Sequence, residues 1–400
     1  MKPISNTALF FMYVTVFINI VAFSMVFPLL PLYAKLYNAS DISIGLLAAS
    51  FAAAQFLFSP IWGMLSDKFG RKPIILVGLL GSAASFLVFG FAENLTMLFI
   101  SRFFQGVFSA ASIPAARAYI ADITTKKERV REMGRIGASL ALGVILGPAI
   151  GGLLAGTSHS LPFFGAAAVA GVAFLFVFKF LPESLQSKNN ASIAFKKGIF
   201  ASASGIKTGL QSSLMRLFLL SFFWSFLMSN NAVAVPLLSI EVFRAQATDV
   251  GMLFVVMGVV AAIVQFFLIS KIAALFGDRT VIIGGLTLMA LGFMIMPFLP
   301  PTLILLYVAV AIAALGSATA RPVITALISK ETKEGQGATM GTANAFESLG
   351  RLIGPILGGI LFAFHVSIPF LFSGAVVLLA LVFLVTTTNF LKQKKAPLAV

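Results

Sequence analysis

The chain has 400 residues, of which 59% are hydrophobic and only 10% are charged, and its formal net charge is +15. A soluble domain carries about 25% charged residues, so a water-soluble fold has no room for this much apolar surface, whereas lipid tails solvate it. The sequence contains no cysteine, which excludes disulfides and thiolate metal sites. Composition therefore predicts an all-α membrane protein.

Apolar runs without charge recur along the chain, and each has the roughly 20 residues that a helix needs to cross a bilayer. The N-terminal run is too long for a signal peptide and lacks a convincing cleavage site, so we predict that it stays as the first span. Longer runs break at turn-forming stretches such as Pro300-Pro301. Twelve transmembrane helices are predicted, at about 7–33, 42–66, 73–92, 95–121, 133–156, 161–181, 215–240, 250–275, 280–299, 302–328, 336–363 and 367–391.

The basic residues divide unequally between the two sides of these spans. With the N-terminus inside, most of the 28 Lys and Arg residues fall in loops on the inner side, including Lys68, Lys126 and Lys330, whereas Lys35 and Arg244 fall outside. Basic loops remain in the cytoplasm, so both termini are predicted to face it. The positive charge therefore reports topology and not nucleic-acid binding, which would be the usual interpretation for a basic soluble chain.

The chain repeats itself at an offset of 207 residues. Phe69-Gly70-Arg71-Lys72 aligns with Phe276-Gly277-Asp278-Arg279, and Gly147-Pro148 aligns with Gly354-Pro355. Repeats of this kind indicate two pseudo-symmetric six-helix bundles of the same topological sense. The predicted organisation is an N-terminal bundle at 1–182, a cytoplasmic linker at 183–214, interpreted as a plain spacer, and a C-terminal bundle at 215–400.

The loop between the second and third predicted spans reads Gly63-Met-Leu-Ser-Asp67-Lys-Phe-Gly70-Arg71-Lys72. Gly70 permits an unusual backbone angle, and Asp67 is placed to face Arg71 and the positive ends of helices. An ordinary charged loop is the alternative. The spacing resembles the signature loop of the major facilitator superfamily, and the resemblance implies that this loop latches the two bundles together on the cytoplasmic side.

The fifth predicted span carries a glycine face. Gly143, Gly147 and Gly151 are spaced by four residues and share one side of the helix, which lets another helix approach closely, while Pro148 favours a kink. A generic packing face is the alternative. The full pattern resembles the fifth-span motif of the drug–proton antiporter branch of that superfamily, which implies proton-coupled export, and Gly354-Pro355 belongs to a second copy.

Arg102 lies about seven residues into the fourth predicted span, roughly 10 Å along the helix, within Leu98-Phe-Ile-Ser-Arg102-Phe-Phe-Gln105-Gly106. One interpretation is that it snorkels to the outer interface. The motif also resembles the family's fourth-span arginine motif, which implies a role in proton transfer.

The first predicted span ends in Val26-Phe-Pro28-Leu-Leu-Pro31-Leu-Tyr33, which resembles the tetracycline and multidrug exporters of the superfamily. Those exporters often carry an acidic residue at the position of Asn19. The resemblance therefore implies that their first-span proton site is neutral in this chain.

Glu347 is the only carboxylate predicted to lie deep inside a span. An ionisable residue in a span is a functional hypothesis by default, and Glu347 is the natural proton carrier because burial makes its ionisation costly. Arg351 follows at i+4, where the two side chains can instead form a structural ion pair. Both interpretations remain open at this stage.

Arg117 and Arg321 lie one to two turns from the predicted cytoplasmic ends of the fourth and tenth spans. Snorkelling to the interface explains each of them. If they instead face a substrate cavity, the cavity has a net positive charge, and an anionic substrate is favoured over the usual lipophilic cations.

Further polar and aromatic side chains within the spans are candidates for lining a cavity. Each polar one is more often an interhelical hydrogen-bond partner than a ligand contact, and cavity-lining and lipid-facing phenylalanines look alike in sequence. The candidates are Asn19, Phe23, Gln55, Trp224, Asn230, Asn231, Gln265 and Asn344, together with Arg117 and Arg321.

These patterns predict a secondary transporter whose two bundles rock about one cavity near the membrane midplane. The predicted task is proton-coupled export of small lipophilic compounds, drugs among them; the alternative is export of an anionic metabolite such as a siderophore or a sugar-acid conjugate. An ATP-driven pump is excluded because the sequence lacks a Gly-x4-Gly-Lys-Ser/Thr loop, and an enzyme because no buried His, Cys or Asp is predicted to serve catalysis. A flux assay would separate a transporter from a sensor on the same scaffold.

We expect no cofactor beyond the proton gradient and no metal, because His159 and His365 fall in predicted outer turns. The expected partners are a small-molecule substrate, protons and membrane lipids, with no nucleic acid. The protein is expected to be a monomer in a bacterial cytoplasmic membrane.

Overall fold

The computed structural model describes residues 6–185, 205–332 and 336–386, and every regular element within them is a helix. We number the membrane spans first to twelfth. The helices are Asn6–Val26 and Leu30–Leu36 (joined by a 3-10 turn as the first span), Asp41–Phe69, Arg71–Gly90, Leu95–Ile123, Lys126–Thr157, Leu161–Phe180, Met215–Glu241, Ala247–Ile263, Ile269–Ile295, Leu303–Glu331, Gln336–Phe364 and Ile368–Thr386.

The eighth and ninth spans are continuous in hydrogen bonding. The helix Ala247–Ile263 continues through a π-helical turn, Val264–Leu268, into the helix Ile269–Ile295. A sharp bend at Gly277, inside the second helix, marks the boundary: the eighth span lies before Gly277 and the ninth span lies after it. Ten stretches of the described chain are long and apolar enough to cross a membrane, and one of these, Ala247–Phe298, has 52 residues and holds two spans. With the shorter Ile368–Thr386 helix they give twelve, which confirms the predicted fold class.

The helix ends follow local capping chemistry. Ser40 Oγ accepts a hydrogen bond from the Ser43 backbone N–H, and Asn94 Oδ1 accepts one from Met97. The helix that contains the fifth span starts at Lys126, several residues before the predicted span start at residue 133, because Thr125 and Glu128 form a reciprocal capping box outside the span. The bond from Thr125 also lowers the pKa of the Glu128 carboxyl.

The internal repeat is present in the backbone as well as in the sequence. Among the described residues, the two glycines with positive φ are Gly70, at 113°, and Gly277, at 76°, which lie 207 residues apart. Each turns the chain between two spans at the same end of the molecule. Most of the predicted linker, at 186–204, lies outside the described residues, so the bounds of the linker and bundles remain a prediction.

Each half forms its own bundle. In the N-terminal bundle, the fifth and sixth spans pack on the first span, and the fourth span packs on the second and third spans. In the C-terminal bundle, the seventh span packs on the eleventh span, and the ninth span packs on the tenth span. The bundles meet mainly through two pairs of spans, the second with the eleventh and the fifth with the eighth, and the end of the first span also contacts the seventh and eighth. Large apolar side chains such as Leu153, Leu275 and Leu378 remain exposed around the outside, as expected for a surface solvated by lipid.

Candidate functional site

The two bundles touch at the end of the molecule opposite Gly70 and Gly277, which we call the closed end. A Cβ atom on Gly45 of the second span would lie 2.4 Å from the Pro355 carbonyl oxygen and 3.2 Å from Gly359 Cα. On the other side of the interface, a Cβ on Gly251 would lie 2.6 Å from the Pro148 oxygen and 3.0 Å from Gly152 Cα. The repeat relates Pro148 to Pro355 and Gly152 to Gly359, so the same backbone contact closes both sides.

An ion-pair bridge joins the halves at the closed end. Lys35 Nζ, at the end of the first span, lies 2.7 Å from Asp41 Oδ1 in its own bundle and 2.9 Å from Glu241 Oε1 in the other. These groups are partly exposed, so the bridge contributes little energy by itself but fixes the lateral register of the two bundles.

The spans that meet at the closed end separate toward the opposite end, which we call the basic end because Lys68, Lys72, Arg131, Arg135 and Lys330 lie there. Near that end, a Cβ added to Gly63 of the second span, to Gly134 or Gly137 of the fifth, or to Gly341 of the eleventh would have no described atom within 4 Å. Within the described residues, the space between the bundles is therefore sealed at the closed end and open at the basic end, and we call this space the cavity.

A cluster of charged side chains lies in this cavity, on the second bundle. Glu347 Oε2, on the eleventh span, is 3.2 Å from Arg321 Nη2 of the tenth span and 3.7 Å from Arg351 Nη1 one turn on. The Glu347 side chain is only 9% exposed, whereas those of Arg321 and Arg351 are 51% and 41% exposed. The carboxylate is thus covered by two guanidinium groups that face the open space.

Trp224 supports this cluster from the seventh span. The Arg321 guanidinium carbon lies 4.6 Å from the centroid of its ring, a cation–π arrangement, and the indole Nε1 donates to Ser317 Oγ at 3.1 Å. The i+4 spacing predicted the Glu347–Arg351 pair, but the closer Arg321 was not predicted, because a contact between residues on different helices leaves no local spacing signal.

Arg117 faces the cluster from the first bundle. It is exposed, and it lies within electrostatic range of Arg321, Arg351 and Glu347. Arg117 and Arg321 therefore lie near each other on the two sides of this space, and their part in substrate binding remains a prediction. Three arginines and one glutamate give this part of the cavity a net positive charge.

Arg102 is completely buried in the first bundle and does not reach the interface by snorkelling. Its guanidinium carbon lies 4.6 Å from the ring centroid of Phe51 and 5.8 Å from that of Phe23, and Nη1 donates to Gln105 Oε1 at 2.5 Å. Its Nε and Nη2 atoms have no hydrogen-bond partner among the described residues. Its charge is thus stabilised by aromatic faces and one amide, with no carboxylate partner in the described chain.

The remaining cavity candidates separate into two groups. Asn344 is exposed one turn before Glu347, Gln265 is exposed in the π-helical turn, and Asn19 is half-buried; Gln55 Nε2 donates to Ser109 Oγ at 3.4 Å. These placements are compatible with a polar lining.

Asn230 and Asn231 do not face the cavity, which corrects the sequence-based expectation. Both side-chain amides donate to Ser373 Oγ of the twelfth span, at 3.1 and 2.9 Å, and both residues are fully buried. They join the seventh span to the twelfth, because a buried amide needs an interhelical partner.

The glycine face of the fifth span packs against the first span. A Cβ on Gly147 would lie 1.9 Å from Ser24 Oγ, and one on Gly151 would lie 2.1 Å from the Met25 carbonyl oxygen. Ser24 Oγ donates to the Gly143 carbonyl oxygen at 2.8 Å across this contact. In the second bundle, Gly354 approaches the seventh span in the same way, with 2.7 Å between its Cβ position and the Phe226 oxygen.

The loop at Gly70 is held from within the first bundle. Arg71 Nη1 is 2.6 Å from Asp67 Oδ1, and its Nε is 2.9 Å from Asp122 Oδ2 at the end of the fourth span. The Glu183 carboxylate accepts hydrogen bonds from the backbone N–H groups of Arg71 and Lys72, at 2.9 and 3.1 Å, where the helix of the third span begins. Gly63 lies one turn before Asp67, on the second span. Among the described residues these contacts stay within the first bundle and its link to Glu183, so a latch between the two bundles remains a prediction.

Two repeated helical bundles around a cavity that is closed at one end and open at the other define a membrane transporter and not an enzyme. The model of the Major Facilitator Superfamily matches residues 12–228 and 217–399, and the chain belongs to this family.

Two relatives and one solved structure illustrate the similarity. The chain is 32% identical over 372 residues to Multidrug resistance protein 2 of Bacillus subtilis, covering 92% of this chain and 91% of that protein. It is 27% identical over 364 residues to the quinolone resistance protein NorA of Staphylococcus aureus, covering 91% and 92%. A bacterial homologue of the human lysosomal transporter Spinster, in an inward-facing and occupied conformation, shares the fold with a TM-score of 0.79 at 15% identity, covering 99% of this chain and 100% of that one.

Proposed function

We propose that the protein is a proton-coupled secondary transporter that exports small lipophilic compounds, drugs among them, across a bacterial cytoplasmic membrane by alternating access. The observation that carries the proposal is the cavity between the two bundles, which glycine contacts seal at the closed end and which is open at the basic end within the described residues. The relatives are named for multidrug and quinolone resistance, which supports drugs as the substrates and does not favour an anionic metabolite.

The basic end is the cytoplasmic end in this proposal. Lys68, Lys72, Arg131, Arg135 and Lys330 are placed there, and basic loops are retained in the cytoplasm. The cavity then loads from the cytoplasm. Tags on both termini and in the linker should be inaccessible to reagents outside intact cells, and labelling of the linker from outside would refute this orientation.

Glu347 is the proton carrier in this proposal. When the Glu347 carboxyl is ionised, it pairs with Arg321 and Arg351, and the net positive charge of the cluster is smaller than when the carboxyl is protonated. Protonation leaves both arginines without their carboxylate partner, and a lipophilic guest would then have to displace water from two uncompensated cations. The proton and the substrate therefore compete for the same cavity, as an antiporter requires.

The positive charge of the cluster also bears on the anionic alternative. An anion that bound Arg321 would compete with the Glu347 carboxylate and so favour its protonation, and anion and proton would then travel in the same direction. Export driven by inward proton flow requires the opposite linkage. The charge arrangement therefore favours uncharged lipophilic compounds as the exported substrates.

Proton release on binding provides a direct test. Substrate binding to the purified protein in weakly buffered detergent should release protons from the wild type and none from Glu347→Gln, with Glu93→Gln, an exposed acid far from the cluster, as the control. Proteoliposomes with an imposed pH gradient should accumulate the same compound only with the wild type and the control. Proton release from Glu347→Gln equal to that of the wild type would refute Glu347 as the carrier.

Arg102 is proposed to assist proton transfer through its charge alone, because no carboxylate pairs with it among the described residues. Arg102→Lys, which keeps the charge, should then retain more proton-driven transport than Arg102→Met, although both fill the aromatic site. Equal transport by the two variants would contradict this role.

A further inference from the structure

Two cavities lie along the lipid-facing side of the first bundle, beside the first and fifth spans, and we call this side of the bundle the groove. At the basic end it contains a cavity of about 500 Å³ lined by Leu9, Phe10 and Tyr13 of the first span and by Arg131 and Arg135 of the fifth. Further along the same two spans, a second cavity of about 330 Å³ is lined only by apolar side chains, including Phe17 and Val21 of the first span, Leu146 and Ile150 of the fifth, and Val172 of the sixth.

The two cavities share one face of the fifth helix. Arg135, Leu142, Leu146 and Ile150 follow each other at spacings of seven, four and four residues, which places them on one side of an α-helix. The three apolar side chains are 40–51% exposed because no described helix covers them, so they face lipid. The rise from Arg135 to Leu146 is roughly 16 Å, about the thickness of one hydrocarbon leaflet.

The arginines are built into the structure through one buried carboxylate. Glu132 is 1% exposed and accepts hydrogen bonds from Arg131 Nε at 2.8 Å, from Arg135 Nη1 at 2.9 Å, and from the Tyr13 hydroxyl. One negative charge holds two positive ones, so the group has a net charge of +1. The arginine side chains remain 65% and 54% exposed, and the guanidinium nitrogens that do not bond Glu132 are left to face the cavity.

We propose that this groove binds an anionic phospholipid, with its phosphate on Arg131 and Arg135 and an acyl chain in the apolar cavity beside Leu146 and Val172. Paired N–H donors of guanidinium groups match phosphate oxygens, and a basic site at the headgroup level continued by an apolar slot fits an amphiphile with these two parts. The lipid would lie against the lipid-facing side of the interface between the first and fifth spans, the same two spans that pack together at Gly147. The inference does not depend on the proposed transport function.

Binding to the purified full-length protein tests the proposal. Dioleoylphosphatidylglycerol, dioleoylphosphatidylcholine and soluble glycerol 3-phosphate would each be titrated, with bound lipid counted by native mass spectrometry and the unfolding temperature measured in parallel. We expect the wild type to bind phosphatidylglycerol more tightly than phosphatidylcholine, and Arg131→Gln with Arg135→Gln to weaken phosphatidylglycerol binding by about tenfold or more. Lys179→Gln with Lys271→Gln removes two exposed charges elsewhere and should leave it unchanged.

A companion variant protects the test against misfolding. Because the double substitution leaves the buried Glu132 without its cations, the triple variant that adds Glu132→Gln removes the whole charged group and should fold while binding phosphatidylglycerol no better than phosphatidylcholine. Ala168→Trp should fill the apolar cavity and weaken both lipids, whereas Leu175→Trp, exposed outside it, should not. Wild-type phosphatidylglycerol binding by the folded triple variant would overturn the phosphate site, and an equal effect of glycerol 3-phosphate would overturn the lipid as its ligand.

Discussion

Positions related by the 207-residue repeat share several glycines at helix contacts and differ in their charges. Gly78 and Gly285 each approach a hydroxyl of the neighbouring span, with 2.4 Å from the Gly78 Cβ position to Ser112 Oγ and 2.6 Å from the Gly285 Cβ position to Thr319 Oγ1. Ser112 and Thr319 are themselves related by the repeat. The helix contacts of the two bundles are therefore built from one pattern.

The charged groups break that pattern. Glu347 corresponds to Leu140 and Arg351 to Val144, while Arg102 corresponds to Ala309. The first bundle thus carries a buried arginine among phenylalanines, and the second carries an ion-pair cluster that reaches the cavity. A symmetric frame with asymmetric charges indicates that the frame serves the conformational change, while the two halves supply different charged groups to the proposed proton transfer.

The largest effect is expected at the asymmetric cluster. Glu347→Gln should abolish pH-driven accumulation in proteoliposomes while substrate binding persists. Because Arg321 and Arg351 are partly exposed and reach water, the variant should lose less stability than the several kcal/mol that a fully buried pair would cost. Restored proton-driven transport in Glu347→Gln with Arg351→Gln would show that the carboxylate serves structure and not coupling.

The symmetric frame should respond symmetrically. Gly147→Leu and Gly354→Leu each place a side chain against the backbone of a neighbouring span, and both should lose about 1–3 kcal/mol of stability and most transport while still inserting. Gly171→Leu, where no described atom lies within 4 Å of the Cβ position, is the matched control. Unfolding temperature and flux measure the effect, and wild-type flux in Gly147→Leu would remove the fifth-span motif from the mechanism.

The two loops at the basic end should differ. Arg71→Gln breaks two ion pairs and should lower the free energy of unfolding by about 1–3 kcal/mol. Lys330→Gln breaks one 3.2 Å contact with Asp278, in which the lysine side chain is 61% exposed, and should lower the free energy of unfolding by less than about 1 kcal/mol. Chemical denaturation of both variants in the same detergent would measure the difference. Equal losses would mean that the second loop is as firmly anchored as the first.

The smallest effect is expected at the cap of the fifth span. Thr125→Ala removes the side-chain acceptor for the Glu128 backbone N–H and should cost about 1 kcal/mol, with transport nearly unchanged. Thr125→Ser keeps the oxygen and should match the wild type in unfolding temperature. A large loss of transport in Thr125→Ala would assign this helix end a part in the mechanism.

Structural features that leave a helical periodicity or a repeat offset in the sequence could be predicted from the sequence. The twelve spans follow from hydropathy, and the offset of 207 residues pairs the turn at Gly70 with the turn at Gly277. The glycine spacing predicted a close helix contact at Gly147. These features are encoded within one helix or in the comparison of two segments.

Features that depend on which spans are neighbours were not predictable. Arg321 and Glu347 are 26 residues apart on different spans, and only the packing of the tenth span on the eleventh brings them together. Asn230 and Asn231 are polar residues within a span, and polarity alone does not reveal which neighbour a helix face meets. The open and closed ends depend on the tilt of whole bundles, which leaves no mark in local sequence.

Adjacent glycines on the fifth and eleventh spans belong to different interfaces. Gly151 packs on Met25 within its own bundle while Gly152 packs on Gly251 of the other, and Gly358 and Gly359 divide their contacts in the same way, on Asn230 and on Gly45. One member of each pair must keep its neighbour through a transport cycle and the next must release it. On the fifth and eleventh spans, a contact that stays and a contact that is released therefore lie on adjacent residues, so a rigid-body rotation of one bundle against the other would open the closed end without unpacking either bundle.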